Sequence, residues 1–259
     1  MEGSGPDGPV PPSARVSRPP PLLSAPVPSF DPVVDAYEAA RPAYPDGVFD
    51  LLGPLSGLRV LEGGAGTGLA TRPLRARGAE VVAVDIGEQM LRRNRPPCVV
   101  ADAARGPFRG GWADLVCFGQ AWHWLDHTIA SAEMARALRD GGRWAAWWSH
   151  PRADGEPWAE AYWSLIESMT GAHRSQRDTN WGATIDTALF TEPVFAAVPW
   201  VREMSIDTWL THERSLSYVG LSPDRDRILD RIEAIIRDAF GDGPARVPYE
   251  TWIWTARKR

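Results

Sequence analysis

Short apolar runs alternate with amphipathic stretches along most of the chain from Phe30 onward. Such runs are typical of strands that are buried on both faces, because these need apolar side chains on each face. The amphipathic stretches between them predict the helical crossovers that parallel strands require. We therefore predict an α/β fold, with a Rossmann-like, doubly wound, mostly parallel sheet of seven strands. Five of these strands are predicted over residues 58–62, 80–85, 98–101, 114–119 and 143–149.

The alternation stops over residues 151–195, a segment rich in tryptophan with interspersed glycine, proline and threonine. A segment of this length and composition inside a compact fold predicts an inserted helical lid. Residues 29–150 then form the main part of the core, and residues 196–259 complete its sheet. Residues 1–28, in which proline recurs and large apolar side chains are few, predict a disordered tail. Within 196–259 we predict a strand over 200–206, a helix over 223–240 capped by Ser222, and a last strand over 249–256.

The composition of the chain argues against nucleic acids and membranes as binding partners. The 259 residues carry a formal net charge of -5, so no strong positive field is available to attract a nucleic-acid backbone. No run approaches the roughly 18 to 20 apolar residues that span a bilayer, and no secretory signal pattern opens the chain. We therefore expect a cytoplasmic protein that acts on a small-molecule substrate, with no nucleic-acid or membrane partner, and the oligomeric state stays open.

A glycine-rich turn follows the first predicted strand, in the stretch VLEGGAGTGLAT. Gly64, Gly66 and Gly68 precede a helix, where backbone amides and the positive helix end can approach a nucleotide-like ligand. The dinucleotide fingerprint G-x-G-x-x-G does not fit, because its third glycine position falls on Leu69. A Walker loop does not fit either, because the turn has no lysine.

Acidic residues follow three of the predicted strands and sharpen this prediction. Glu62 ends the first strand, where its negative charge would repel a pyrophosphate and attract an ammonium or sulfonium group. Asp85 lies 19 residues after Gly66, at the position where an acid accepts the ribose hydroxyls in nucleoside-binding sheets. Asp102 and Ala103 follow the third strand and suit the exocyclic amine of adenine. Together these features predict S-adenosylmethionine as the cofactor.

These residues resemble motifs I, II and III of class I S-adenosylmethionine-dependent methyltransferases, as Glu62-x-Gly64-x-Gly66-x-Gly68, Asp85 and Asp102-Ala103. The resemblance covers about residues 30–150 and 196–259. The segments YEAARPAYP and QAWHWLD are similar to the small-molecule branch that includes the UbiE and trans-aconitate type enzymes.

The resemblance implies a role for each matched residue. Glu62 would hold the methionine ammonium, Asp85 the ribose and Asp102 the adenine amine. For Asp102, a local cap of the turn that follows is a second possibility. The resemblance also implies cofactor contacts from Ile86 beside Asp85 and from Ala103 at the edge of the adenine ring. The remaining implied contacts are Phe118 and Gln120 at the far wall of the cofactor site, and Tyr37 and Arg41 over the methionine end of the cofactor.

Candidate acceptor residues are less specific. His123, in QAWHW, is the base that the motif order places near the methyl group, unless it is a structural histidine packed between Trp122 and Trp124. The His123-x-x-x-His127 spacing lacks the glutamate and third ligand of a zinc site, so we expect no metal. The residues assigned to the substrate pocket are Trp122, Trp124, Trp158, Trp163 and Trp181.

The sequence therefore predicts methyl transfer by in-line displacement to a small apolar or aromatic metabolite, most simply at oxygen with His123 as base. Carbon, nitrogen or carboxylate methylation remains open, the last with Arg41 holding the acceptor. Two further classes stay compatible with the sequence. One is a protein that binds the cofactor without methylating, as a sensor or cyclase-type scaffold, and the second is an NAD-dependent oxidoreductase, which the glycine spacing disfavours.

Overall fold

The computed structural model describes residues 43–172 and 184–259. The predicted tail and three predicted site residues, Tyr37, Arg41 and Trp181, lie outside the described residues. The strands of the described part are β1 Arg59–Gly63, β2 Glu80–Asp85, β3 Cys98–Val100, β4 Ala113–Gly119, β5 Leu138–Pro151, β6 Val194–Met204 and β7 Ala245–Arg257.

These strands form a sheet of order β3-β2-β1-β4-β5-β7-β6. The first five strands run parallel to their neighbours, and β7 runs antiparallel to both β5 and β6. The predicted α/β fold with a mostly parallel seven-stranded sheet is thereby confirmed. The carboxyl ends of the parallel strands meet at one edge of the sheet, and the order reverses between β1 and β4, which creates a crevice there.

Helices cover both faces of the sheet. The face that carries Cys117, Ala145 and Trp147 packs against the first two helices, whereas Trp144 and Trp148 lie in the core of the opposite face. The helices are α1 Asp46–Leu51, α2 Thr71–Ala76, α3 Glu88–Arg93, α4 His127–Ala137, α5 Pro157–Thr170, α6 Ile206–Ser215, α7 Ser217–Gly220 and α8 Arg225–Phe240, with 3₁₀ turns at Ala103–Arg105 and Trp122–Trp124.

Several predicted boundaries differ from the structure. Strand β5 begins at Leu138 rather than at residue 143, and β7 begins at Ala245 rather than at residue 249. Strand β6 begins at Val194 rather than at residue 200, because it is an edge strand whose exposed positions and Pro199 disguise the pattern. Helix α8 begins at Arg225 rather than at Pro223, and the Ser222 hydroxyl accepts a hydrogen bond from the Asp224 N–H within the preceding turn.

The structure does not divide the helices at residue 195, where the sequence predicts that the lid ends. Helix α5, from the predicted lid, packs with α6 and α8 from the predicted C-terminal core, and all three share one hydrophobic cluster. The same cluster includes Ala245, Val247 and Tyr249 at the start of β7. Because Tyr249 pairs with Pro151 at the end of β5, this helical unit lies beyond the carboxyl end of that strand. None of the helices in residues 43–172 and 184–259 is long and apolar enough to cross a membrane.

Candidate active site

The glycine turn after β1 is held by an acid at the end of β2. One carboxylate oxygen of Asp85 accepts a hydrogen bond from the N–H of Gly66 at 2.9 Å, and the other accepts one from the N–H of Gly87 at 2.8 Å. Gly64 has a φ of 64°, and a Cβ built on it would lie 2.3 Å from the Cβ of Ala121. Glycine is therefore required at this point, because any side chain would be strained and would collide with the segment after β4.

Glu62 is buried beneath this turn, with 2% of its surface exposed. Its carboxylate accepts a hydrogen bond from the Thr71 hydroxyl at 2.5 Å, and the Asn94 side-chain amide donates to the same hydroxyl at 2.8 Å. Burial raises the pKa of Glu62 to about 7, although the Thr71 hydrogen bond opposes the shift. A cation placed beside this carboxylate would reverse the effect of burial and keep it ionised.

A first cleft, which we call the main cleft, opens at the carboxyl ends of β1, β2 and β4 and encloses about 690 Å³ of space that is open to solvent. The structure brings nine of the predicted site residues to its wall. They are Gly64, Gly66, Asp85, Ile86, Asp102, Ala103, Phe118, Gln120 and Trp124.

The main cleft also has wall residues that sequence reasoning missed. These are Met90, Ala101, Gly119, Ala121 and Leu125. They are small or apolar side chains without distinctive chemistry, and only their position after the strands brings them to the cleft. Together with Ile86, which is 38% exposed, they give the cleft an apolar wall suited to a flat ring.

Two polar members of this wall have specific local geometry. Asp102 accepts the N–H of Ala104 at 2.8 Å and pairs with Arg105 at 3.0 Å, so the local capping contact coexists with its place in the cleft. Gln120 has a φ of 57°, which is uncommon for a residue other than glycine, and its N–H donates to the Trp147 carbonyl. Backbone strain of this kind is concentrated at functional sites.

A second, smaller space of about 270 Å³, which we call the glutamate cleft, adjoins the first and shares Gly64, Gly66 and Gly119 with it. Glu62 lines it, together with Tyr44 and Thr67. The buried hydroxyl of Thr67 has no hydrogen-bond partner among the described residues, so the cleft holds a polar atom that a ligand could satisfy. Gly68 lies outside both clefts and faces the Asn94 side chain instead.

His123 and Trp122 do not line either cleft. The ring of Trp122 is fully buried between Phe118 and Trp144, and its N–H donates to the Thr184 carbonyl at 2.9 Å. The prediction that Trp122 contacts the substrate is therefore wrong, because the 3₁₀ turn directs this ring into the core. His123 accepts a hydrogen bond on Nδ1 from the indole N–H of Trp148 at 3.0 Å.

Trp158 and Trp163 lie at a different place, in a chamber of about 670 Å³ between the helical unit and the ends of β5, β6 and β7. The aromatic residues of this chamber are Trp158, Tyr162, Trp163, Trp209 and Tyr249, and its polar residues are His150, Asp154, His212 and Glu213. Trp158 also packs edge-on against Trp209 and Phe240, so these rings are both pocket wall and helical core.

The strand order with an antiparallel β7, the glycine turn after β1 and the acids after β1, β2 and β3 define a class I S-adenosylmethionine-dependent methyltransferase. Comparison with known proteins agrees. Residues 61–146 match the methyltransferase domain family. An uncharacterized methyltransferase of Mycobacterium tuberculosis is 44% identical over 215 residues, which cover 80% of this chain and 85% of that protein.

A malonyl-[acyl-carrier protein] O-methyltransferase of Halorhodospira halophila is 30% identical over 213 residues, 73% of this chain and 70% of that protein. A solved structure from Anaeromyxobacter dehalogenans, assigned as a type II methyltransferase, superposes with a TM-score of 0.60 at 24% identity, over 85% of this chain and 97% of that one. The chain belongs to the methyltransferase family, and its cofactor is S-adenosylmethionine.

Proposed function

We propose that this enzyme transfers the methyl group of S-adenosylmethionine to an oxygen atom of a small apolar or aromatic metabolite, within the small-molecule branch that the sequence resembles. The observation that carries this proposal is the aromatic chamber beside His150, because a pocket with five aromatic side chains in its wall suits a ligand with an apolar or aromatic body. The cofactor supplies an electrophilic methyl group that an in-line nucleophile displaces, so the protein chiefly has to position the two reactants and exclude water.

In this proposal, the two clefts divide the cofactor between them. Ile86, Ala103 and Met90 border the adenine, and Asp102 accepts a hydrogen bond from the adenine amine. Asp85 binds the ribose, since its carboxylate ends β2 in the wall of the main cleft and is held there by the N–H groups of Gly66 and Gly87. The buried carboxylate of Glu62 binds the methionine ammonium in the glutamate cleft, which compensates the unfavourable burial of its charge.

The acceptor extends, in this proposal, from the main cleft toward the chamber. Gly119, at the mouth of both clefts, pairs with Trp147 on β5, and His150 follows three residues further along that strand. At about 3.3 Å per residue this places the chamber roughly 10 Å beyond the cleft. An acceptor that spans the interval has its reactive oxygen near Trp124 and its apolar body among Trp158, Trp163 and their neighbours.

The acceptor oxygen is proposed to be one that is already ionised, such as a carboxylate. The hydrogen bond from Trp148 occupies the Nδ1 lone pair of His123, so this histidine is poorly placed to remove a proton, contrary to the role predicted from the sequence. A carboxylate needs no base at neutral pH. The name of the Halorhodospira relative, a malonyl-[acyl-carrier protein] O-methyltransferase, supports an oxygen acceptor.

A screen of matched acceptors tests this proposal. The purified enzyme is incubated with S-adenosylmethionine and with sets of three aromatic compounds, which differ only in whether they carry a carboxylate, a phenol hydroxyl or an amine. The release of S-adenosylhomocysteine is measured for each compound. We expect turnover with carboxylates and a product that mild alkali hydrolyses, as a methyl ester is. A product that is stable to alkali indicates that the acceptor atom is a hydroxyl oxygen, a nitrogen or a carbon, and it contradicts the proposal of a carboxylate acceptor. Cofactor binding without turnover on any acceptor favours a non-methylating role.

A further inference from the structure

Trp147 on β5 carries a hydrogen-bond donor that the described residues leave without an acceptor. The side chain is fully buried, and its indole N–H makes no hydrogen bond to any of the described residues. Most buried polar groups in proteins are paired, because an unpaired donor away from water costs about 1–3 kcal/mol. A buried, unpaired donor beside a binding cleft therefore needs an explanation.

The strand register places this donor on the same face of the sheet as Glu62. Glu62 pairs with Cys117 on β4, and Cys117 pairs with Ala145 on β5. Residues paired in register project to one face, and every second residue along a strand returns to it. Gly119 and Trp147, each two residues further along their strands, therefore share the face of Glu62 at the carboxyl edge.

Gly119 has no side chain at the point where the indole nitrogen of Trp147 and the hydroxyl of Tyr44 come close to it. A Cβ built on Gly119 would lie 3.0 Å from Nε1 of Trp147 and 2.8 Å from the hydroxyl oxygen of Tyr44. Gly119 lines the main cleft and the glutamate cleft, and Tyr44 and Glu62 line the latter. The indole nitrogen thus lies directly behind Gly119, next to the wall that the main cleft and the glutamate cleft share.

We infer that the indole N–H of Trp147 donates a hydrogen bond to the carboxylate of the methionyl part of the cofactor. Indole N–H is a donor only, so its partner must be an acceptor. Under the proposed binding mode, Glu62 takes the ammonium of an α-amino acid, and the carboxylate is attached to the same carbon atom. A cleft lined by the Glu62 carboxylate, with a buried N–H next to Gly119 of its wall, is complementary to both charged groups of that amino acid. This inference rests on the proposed cofactor orientation and not on the acceptor.

Two variants and two ligands test the inference. Trp147→Phe removes the N–H, and Trp144→Phe is the matched control, because Trp144 is also a fully buried tryptophan of β5 with an unpaired indole N–H among the described residues, but it projects to the opposite face. Each variant is titrated calorimetrically with S-adenosylmethionine and with decarboxylated S-adenosylmethionine, which keeps the ammonium and lacks the carboxylate.

We expect Trp147→Phe to weaken S-adenosylmethionine binding about tenfold or more, the loss typical of one hydrogen bond to a charged group, and to leave the affinity for the decarboxylated ligand unchanged. Trp144→Phe should change neither affinity. An equal loss for both ligands, or no loss for either, overturns the inference. An unchanged cofactor affinity with a raised KM for the acceptor also overturns it, because the donor then serves the acceptor.

Gly119→Ala provides a second test if Trp147→Phe does not fold. The added methyl group would fill the space in front of the indole nitrogen, so it should weaken binding of S-adenosylmethionine more than binding of the decarboxylated ligand. Equal losses for the two ligands count against the inference in this variant too. Failure of the proposed cofactor orientation is distinguishable, because Glu62→Gln would then leave the affinity for both ligands unchanged.

Discussion

The indole N–H of Trp148 donates a hydrogen bond to Nδ1 of His123 over 3.0 Å, and this contact fixes the tautomer of the neutral imidazole. Indole can only donate, so Nδ1 must carry the lone pair and Nε2 the proton. The bond links the 3₁₀ turn after β4 to the neighbouring strand β5. We therefore propose that His123 positions the wall of the main cleft and does not act as the base.

Removing this acceptor should destabilise the protein. His123→Ala leaves the buried N–H of Trp148 without its partner, so the free energy of unfolding should fall by about 1–3 kcal/mol in chemical denaturation. His123→Asn is the control, because its side-chain oxygen can still accept the hydrogen bond, and it should lose less. Equal stability of both variants and the wild type would show that the bond contributes little. A loss of turnover of about 10²-fold or more in His123→Asn would instead restore the base role.

Glu62 should make both stability and cofactor binding depend on pH. Its pKa is raised by burial from 4.5 to about 7, so between these values the folded state holds a proton that the unfolded state has lost. The free energy of unfolding should therefore fall as pH rises from 4.5 to 7, by about 3 kcal/mol in total, and level off above pH 7. Glu62→Gln should lack this component, which denaturation of both proteins across the pH range will measure.

The same carboxyl group should release a proton when the cofactor binds below pH 7. A bound ammonium favours the ionised form of Glu62, so affinity should rise with pH up to about 7. Calorimetry at pH 6 in two buffers of different ionisation enthalpy measures the number of protons released. If Glu62→Gln releases as many protons as the wild type, another group is responsible.

Asp85 should contribute to the cofactor site and to the shape of the glycine turn. Asp85→Ala removes the ribose acceptor and both backbone contacts, to Gly66 and Gly87, so we expect S-adenosylhomocysteine affinity to fall by about tenfold or more. Asp85→Asn keeps one acceptor oxygen and should lose less. Calorimetric titration of both variants checks this, and full affinity in Asp85→Ala would refute the assignment of Asp85.

Tyr162 should stabilise the buried side chain of Glu213 in the wall of the chamber. Its hydroxyl donates to one oxygen of Glu213 at 2.8 Å, and the indole N–H of Trp209 donates to the other at 3.1 Å. Tyr162→Phe removes one of these donors, so the thermal midpoint and the free energy of unfolding should fall, the latter by about 1–3 kcal/mol. A variant as stable as the wild type would mean that other contacts of Glu213 compensate. Cofactor affinity should not change, which separates the chamber from the two clefts.

Much of the cofactor site was predictable from the sequence. Glu62 and Asp85 lie at the ends of their strands, and the glycine turn and Asp102 come soon after theirs. Parallel strands bring their carboxyl ends to one edge whatever the details of packing. A local pattern was sufficient here, because a residue at the end of a strand is positioned by that strand. Ile86, Phe118 and Gln120, which the family resemblance implied, also lie in the wall of the main cleft.

Other features depended on contacts between distant segments. The sequence identified Trp122 and Trp124 as a pair, but only the 3₁₀ turn decided that Trp124 lines the cleft while Trp122 is buried in the core. The chamber requires α5 to pack against helices about 40 or more residues later in the chain, and no spacing within one segment encodes that association.

The sequence by itself determined the fold class, the cofactor and the acids of the candidate site, since these follow from strand order and from residues at strand ends. The tertiary structure decided the proton position on His123, the unpaired donor of Trp147 and the shape of the chamber. Each of these depends on which side chains meet across neighbouring strands and helices, and such meetings are set by sheet register and packing rather than by local sequence.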